Sequence, residues 1–146
     1  FMLLDDESQL DDLTRKLMRI GLDNVYGYIP STSVWTVTGG TLEKANTITL
    51  EEAKELINNN GIQLIDLRGE AEYNTGHIAK ADNVFVGTLP QNLDKVSKDK
   101  KVVIHCQSGE RAAIAFSILA KNGYKNVVNF YGGMNEWVNK GEPVIS

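Results

Sequence analysis

Along residues 47–146, short apolar runs alternate with helical patterns, the rhythm of βαβ units that build a mostly parallel sheet covered by helices. Thr49-Leu50-Glu51-Glu52 is a capping box that predicts a helix to about Asn58, ended by Asn59-Asn60-Gly61, residues that tolerate positive φ. Ile62 to Leu67 is a predicted strand, followed by the polar stretch Arg68 to Lys80 and a short strand at Val84-Phe85-Val86. Lys101 to His105 is nearly continuously apolar, as a central strand covered on both faces should be. Ala112 to Lys121 is apolar almost all round, which predicts a helix packed deep against the sheet. Val127-Val128 gives a last strand, and Gly132-Gly133 opens a short helix whose Met134 and Trp137 share one face and belong to the core.

Residues 1–41 repeat part of this pattern. A shift of 102 positions places Leu17, Gly21, Asn24, Val25, Trp35 and Gly39 on Leu119, Gly123, Asn126, Val127, Trp137 and Gly141 without a gap. The segment therefore reads as the C-terminal half of a degenerate, inactive copy, with 42–46 as linker and 47–146 as the active domain. Leu4 stands where Cys106 stands, and Asp5-Asp6-Glu7-Ser8-Gln9 replaces Gln107-Ser108-Gly109-Glu110-Arg111. A strand near 1–4, a helix from about Ser8 to Ile20 and a strand near Asn24 to Tyr28 are expected. Two strands alone are marginal, so the apolar side bearing Leu13, Leu17 and Trp35 is expected to dock on the active domain or on a second chain, as a homo-oligomer would. The acids Asp5, Asp6, Glu7, Asp11 and Asp12 precede Arg15, Lys16 and Arg19, an order that suits a helix dipole.

Composition narrows the function. The 146 residues carry 15 basic and 19 acidic side chains, a net charge of −4, with 42% hydrophobic residues, which is ordinary for a globular protein. No apolar run reaches the length of a membrane span, no secretory leader is expected, and the scattered lysines form no basic stripe for nucleic acid. Cys106 is the single cysteine. It can close no disulfide within the chain and supplies no thiolate cluster for zinc, which points to a reducing, cytoplasmic setting.

Val102-Val103-Ile104-His105-Cys106-Gln107-Ser108-Gly109-Glu110-Arg111-Ala112 reads as strand, tight loop and helix, and open parallel sheets bind ligands where such loops leave the strands. Gly109 lets the loop curl so that the N–H groups of Gln107, Ser108, Gly109 and Glu110 line a concave anion site. Those dipoles and the helix start favour a thiolate at Cys106, and Arg111 adds a permanent cation. A buried, inert cysteine would be followed by more core, whereas polar residues, a glycine and an arginine follow this one.

The Cys-x-x-Gly-x-Arg loop resembles that of rhodanese sulfurtransferases. So do the upstream Asp66-Leu67-Arg68, Glu72-Tyr73, Gly76-His77-Ile78, Ala81 and Asn83, and the downstream Gly123-Tyr124, Val127, Gly132-Gly133-Met134 and Trp137. The resemblance implies an α/β fold with a five-stranded parallel sheet flanked by helices, preceded here by a partial βαβ half-unit. It implies that Cys106 takes sulfane sulfur from thiosulfate or a thiol or protein persulfide and passes it to a nucleophilic acceptor such as cyanide or a thiol, with no cofactor. Tyrosine phosphatases and arsenate reductases carry five residues between the cysteine and the arginine; here there are four, which leaves less room for a tetrahedral phosphate and favours sulfur transfer. The alternatives are a persulfide carrier or interaction module without turnover and, less favoured by the short loop, a phosphatase or arsenate reductase. Glu110 offsets the charge of Arg111 and so argues against thiosulfate as the donor. Asp66 is expected to support the turn through an ion pair with Arg68, Arg68 to reach the substrate, His77 to tie down its loop, and His105 to be a satisfied buried imidazole; no metal site is expected. Leu17 to Tyr28 resembles the linker of bacterial metallo-β-lactamase–rhodanese fusions, which implies a persulfide-oxidising domain as natural partner.

Overall fold

The computed structural model describes residues 2–4, 6–19, 21–42, 44–59 and 61–146, and divides into two compact units, Phe1–Lys44 and Ala45–Ser146. Phe1, Asp5, Ile20 and Asn60, which the sequence assigns to a strand, an acidic loop, a helix end and a helix stop, lie outside the described residues.

In the first unit, strand β1 (Met2–Leu3) leads through a 3-10 turn (Glu7–Gln9) to helix α1 (Leu10–Arg19), strand β2 (Tyr28–Ile29) and helix α2 (Thr32–Val37). β1 and β2 pair in parallel, Met2 opposite Tyr28. The Asp6 carboxylate accepts from the Ser8 N–H at the turn, and Asp11–Arg15 and Asp12–Lys16 pair along α1.

The second unit runs β3 (Thr47–Ile48), α3 (Leu50–Asn58), β4 (Ile62–Asp66), α4 (Glu70–Thr75), β5 (Ala81–Asn83), β6 (Lys101–His105), α5 (Glu110–Lys121), β7 (Val127–Phe130) and α6 (Gly133–Asn139). Its five strands form one parallel sheet in the order β3-β7-β6-β4-β5, so β6 lies at the centre. The capping box starts α3: the Thr49 hydroxyl accepts from the Glu52 N–H at 3.2 Å, and the Glu52 carboxylate accepts from the Thr49 N–H at 2.8 Å.

Side chains alternate across the sheet, and each face has its own core. Ile65, Leu67, Val102 and Ile104 pack with Ala112, Ala115 and Leu119 of α5, and with Leu89 and Val96. On the other face Leu64, Val103 and Phe130 pack with Leu50 and Ala53 of α3 and with Met134 and Trp137 of α6.

Two expectations need correction. The edge strand is Ala81–Asn83; Val84 already belongs to the exit, and Val86–Gln91 is a 3-10 segment. The backbone pairing with β4 ends at Asn83, opposite Asp66, and Val84 is buried while Phe85 is exposed. Helix α5 buries one face only, the stripe Ala112, Ala115 and Leu119, and Ile114 is 57% exposed, so its apolar character overstates its depth. The fifth strand is Thr47–Ile48, two residues too short to carry a pattern of its own.

Candidate active site

β6 delivers its chain to Cys106, and the next residues turn sharply into α5. The turn depends on Gly109, whose φ of +100° suits glycine. A methyl group there would also lie 2.7 Å from the carbonyl oxygen and a ring carbon of Tyr131. In this conformation the Gly109 N–H donates to Cys106 Sγ at 3.2 Å. The opposite side of the loop is pinned by the start of α6: Met134 N–H donates to the Cys106 carbonyl and Asn135 N–H to the Gln107 carbonyl, both at 3.0 Å. Gly133 makes that approach feasible, because a methyl on it would sit 2.5 Å from the Cys106 oxygen. The Gln107 amide adds a bond of 2.6 Å to Asn135 Oδ1. Cys106 itself is buried at the floor of this turn.

Arg111, in the first turn of α5, forks onto Glu72 of α4, with Nη1 and Nη2 at 2.6 and 2.8 Å from the two carboxylate oxygens. That guanidinium holds the Glu72 carboxyl down to about 2, and Glu72 in turn raises the already high pKa of Arg111, with Cys106 adding to the effect. Arg111 therefore lies between a carboxylate and the sulfur. Glu110 is solvent-exposed and accepts a bond of 2.6 Å from the Ser108 hydroxyl, which lowers its pKa.

Asp66 and Arg68 pair as expected. Arg68 Nε reaches both Asp66 oxygens at 3.0 Å, and Nη2 reaches Oδ2 at 2.7 Å and the Gly76 carbonyl at 2.8 Å. The assignment of Arg68 to substrate binding is corrected: its side chain is buried, consumed by Asp66 and the Gly76 turn, and touches the loop only through Gln107 Oε1 at 3.4 Å. It supports the loop from beneath. His77 holds its turn through Nδ1 to the Tyr73 carbonyl at 3.1 Å, a stacked contact with the Tyr73 ring, and a backbone bridge to Ile145. His105 is fully buried and only half satisfied. Its Nδ1 lies 3.4 Å from the Cys106 carbonyl, but Nε2 has no hydrogen-bond partner and stands 4.0 Å from Asp66 Oδ2. Burial pushes its pKa down, so the ring is neutral. Among the described residues, no group of three His, Cys, Asp or Glu could hold a metal ion.

Sequence reasoning missed the parts of the site that come from other elements. Glu72 carries no local sign of pairing with a residue 39 positions away, although its bond to the Gly69 N–H marks it as a helix-start residue. Asn135, Tyr131 and the first amides of α6 reach the loop only because β6 and β7 are neighbours in the sheet.

The chain is similar to known proteins. A sulfurtransferase of Allochromatium vinosum is 32% identical over 94 residues, 64% of this chain and 88% of that protein. The thiosulfate sulfurtransferase GlpE of Coxiella burnetii is 30% identical over 86 residues, 59% of this chain and 80% of its own. The structure of the human single-domain sulfurtransferase TSTD1 superposes with a TM-score of 0.59 at 29% identity, covering 66% of this chain and 98% of that one. The family model for the rhodanese-like domain matches residues 49–140, a span that holds every side chain of the site just described, and the chain belongs to that family.

Proposed function

We propose that the protein is a rhodanese-type sulfurtransferase in which Cys106 carries sulfane sulfur between a small-molecule donor and a nucleophilic acceptor. The Cys106 thiolate attacks the outer sulfur of thiosulfate or of a thiol persulfide. A new S–S bond forms at Sγ, and the donor's S–S bond breaks with its electron pair leaving on sulfite or on the thiolate. Cyanide or a thiol then takes the outer sulfur, and the pair returns to Sγ. The observation that carries this reading is the Gly109 N–H on Cys106 Sγ at 3.2 Å, with the Arg111 guanidinium close enough to interact with the sulfur. The loop residues Gln107, Ser108, Gly109 and Glu110 frame the approach, and Asp66, Arg68 and His77 hold the frame. The test is mass spectrometry of Cys106 after exposure to a donor. Gain of one sulfur atom, removed again by cyanide as thiocyanate, is expected; failure of every donor to load Cys106, or loaded sulfur that no acceptor removes, overturns turnover of this kind.

Residues 1–41 we read as the back half of a second, inactive copy. Support comes from matched local geometry: Gly21 and Gly123 both have φ near +80°, and their N–H groups bond Met18 and Ala120, which are partners under the same shift. The strand register differs by one residue, since Met2 pairs with Tyr28 whereas Ile104 pairs with Asn129. A persulfide-oxidising metallo-β-lactamase domain as fusion partner, a cytoplasmic location and association of copies through residues 1–41 remain part of this proposal. No helix among the described residues is long and apolar enough to cross a membrane.

A further inference from the structure

The charges around the loop do not suit a small dianion. Among the described residues, both guanidinium groups touching the loop are held by a carboxylate, Arg68 by Asp66 and Arg111 by both oxygens of Glu72. Glu110, at the start of α5 and next to Arg111, adds an exposed carboxylate that accepts from the Ser108 hydroxyl. The five charged groups in and beneath the loop thus sum to one negative charge, and the exposed one of them, Glu110, carries the excess. A second feature lies on the same loop. The Tyr131 ring packs against Gly109, the residue whose N–H holds the sulfur, yet the tyrosine remains 57% exposed. An aromatic face beside the nucleophile offers nothing to an inorganic donor and a contact surface to an organic one.

We infer that the site prefers a monoanionic organic donor of sulfane sulfur, the class that includes thiol persulfides, over thiosulfate, and that Glu110 and Tyr131 determine this preference. The inference rests on the sulfurtransferase reading above. The chemistry is the same for either donor: the Cys106 thiolate bonds to the outer sulfur, and sulfite or an organic sulfinate or thiolate leaves with the electron pair. Only the charge and the body of the leaving group differ. Glu110 repels a dianion about twice as strongly as a monoanion at the same distance. Tyr131 holds the organic body.

Three donors separate these contributions in the full chain. Thiosulfate is the dianion, methanethiosulfonate is a monoanion without a ring, and benzenethiosulfonate is a monoanion with one. The expected order of kcat/KM is benzenethiosulfonate, then methanethiosulfonate, then thiosulfate. Glu110→Gln should narrow the gap between methanethiosulfonate and thiosulfate by about threefold or more, through KM, with the change fading at high salt. Tyr131→Ala should narrow the gap between benzenethiosulfonate and methanethiosulfonate and leave the salt dependence in place. Equal or better use of thiosulfate by the parent protein, or a Glu110→Gln variant with an unchanged donor ratio, overturns the inference while sulfur loading on Cys106 still upholds the sulfurtransferase reading. Absence of loading by all three donors overturns both.

Discussion

Two tryptophans separated by 102 residues make the same local bond and meet different fates. Trp35 Nε1 donates to the Thr41 carbonyl at 3.0 Å and Trp137 Nε1 to the Pro143 carbonyl at 2.9 Å, in each case six residues onward. The turns behind them match as well: Gly40 N–H bonds the Trp35 carbonyl as Glu142 N–H bonds that of Trp137. Yet Trp137 is 5% exposed and Trp35 is 58% exposed. In the second unit Leu50, Ala53, Leu64 and Ile78 join Trp137 in one core, and all four precede β6 in the chain. Among the described residues the first unit holds two two-residue strands and two helices, and its one buried apolar side chain is Leu4. Local sequence is thus enough to build the turn around a tryptophan, whereas burying it takes elements supplied from far along the chain.

The same contrast separates the two loops, and it yields the largest expected effect. Cys106→Ser should abolish cyanide-dependent thiocyanate formation while leaving the fold intact, because a hydroxyl is close to isosteric and cannot hold sulfane sulfur. Adding Leu4→Cys to that variant places a thiol at the matching position of the first unit. It should restore no activity, since the residues after it include neither the glycine that turns an N–H onto sulfur nor the arginine. Recovery of transfer by the double variant would show that the loop is dispensable.

Packing gives the next largest difference. Trp137→Ala removes an indole that packs against Phe130, edge to face, and should cost about 3–5 kcal/mol in denaturant unfolding. Trp35→Ala should cost under about 1 kcal/mol, because most of its surface is already in water. Equal losses at the two positions would mean that Trp35 is covered in solution, as docking of the first unit on another surface requires.

Arg111 aligns with Gln9, so Arg111→Gln imports the residue of the first unit into the second. Sulfur loading of Cys106 should slow by about tenfold, equivalent to about 1.4 kcal/mol, since the cation beside the sulfur is lost. The variant also leaves Glu72 with only the Gly69 N–H as a hydrogen-bond donor, so the Glu72 carboxyl should titrate at higher pH than in the parent. Rapid-mixing measurement of loading, with an unchanged rate as the contrary result, decides whether Arg111 acts on the nucleophile or serves packing alone.

What the sequence made legible was whatever is local. The capping box at Thr49, the central strand Lys101–His105 and the Asp66–Arg68 pair lie within a few residues of their causes. The nucleophile was legible because glycine and arginine follow it at fixed spacing. The inward turn of Arg68 was not, because a guanidinium at the end of a strand has the same sequence signature whether it faces solvent or a buried carboxylate. Nor was the pairing of Arg111 with a carboxylate. Glu72 comes from α4 and meets Arg111 only after β4 and β6 have paired, Asp66 opposite His105, and brought the two loops together at the same end of the sheet.

The smallest expected effect tests how the two units use their ion pairs. Asp12–Lys16 lies along one helix in water, and exposed pairs four residues apart contribute about 0.3–0.5 kcal/mol at most. Glu72–Arg111 ties α4 to α5, and its carboxyl is held down to about 2 from an ordinary value of 4.5. A carboxyl lowered by folding stabilises the native state above its unfolded pKa, and the contribution disappears as pH falls through the folded one. The stability gap between parent and Glu72→Gln should therefore be full above pH 4.5, shrink between 4.5 and about 2, and close below that. Both groups of the pair are partly in solvent, so the gap should stay near or below about 1 kcal/mol even at its plateau. Asp12→Asn should show no resolved gap at any pH by the same denaturant titration. A Glu72→Gln gap that persists unchanged at pH 2 would mean that the carboxylate charge contributes nothing and that the contact between α4 and α5 is one of shape.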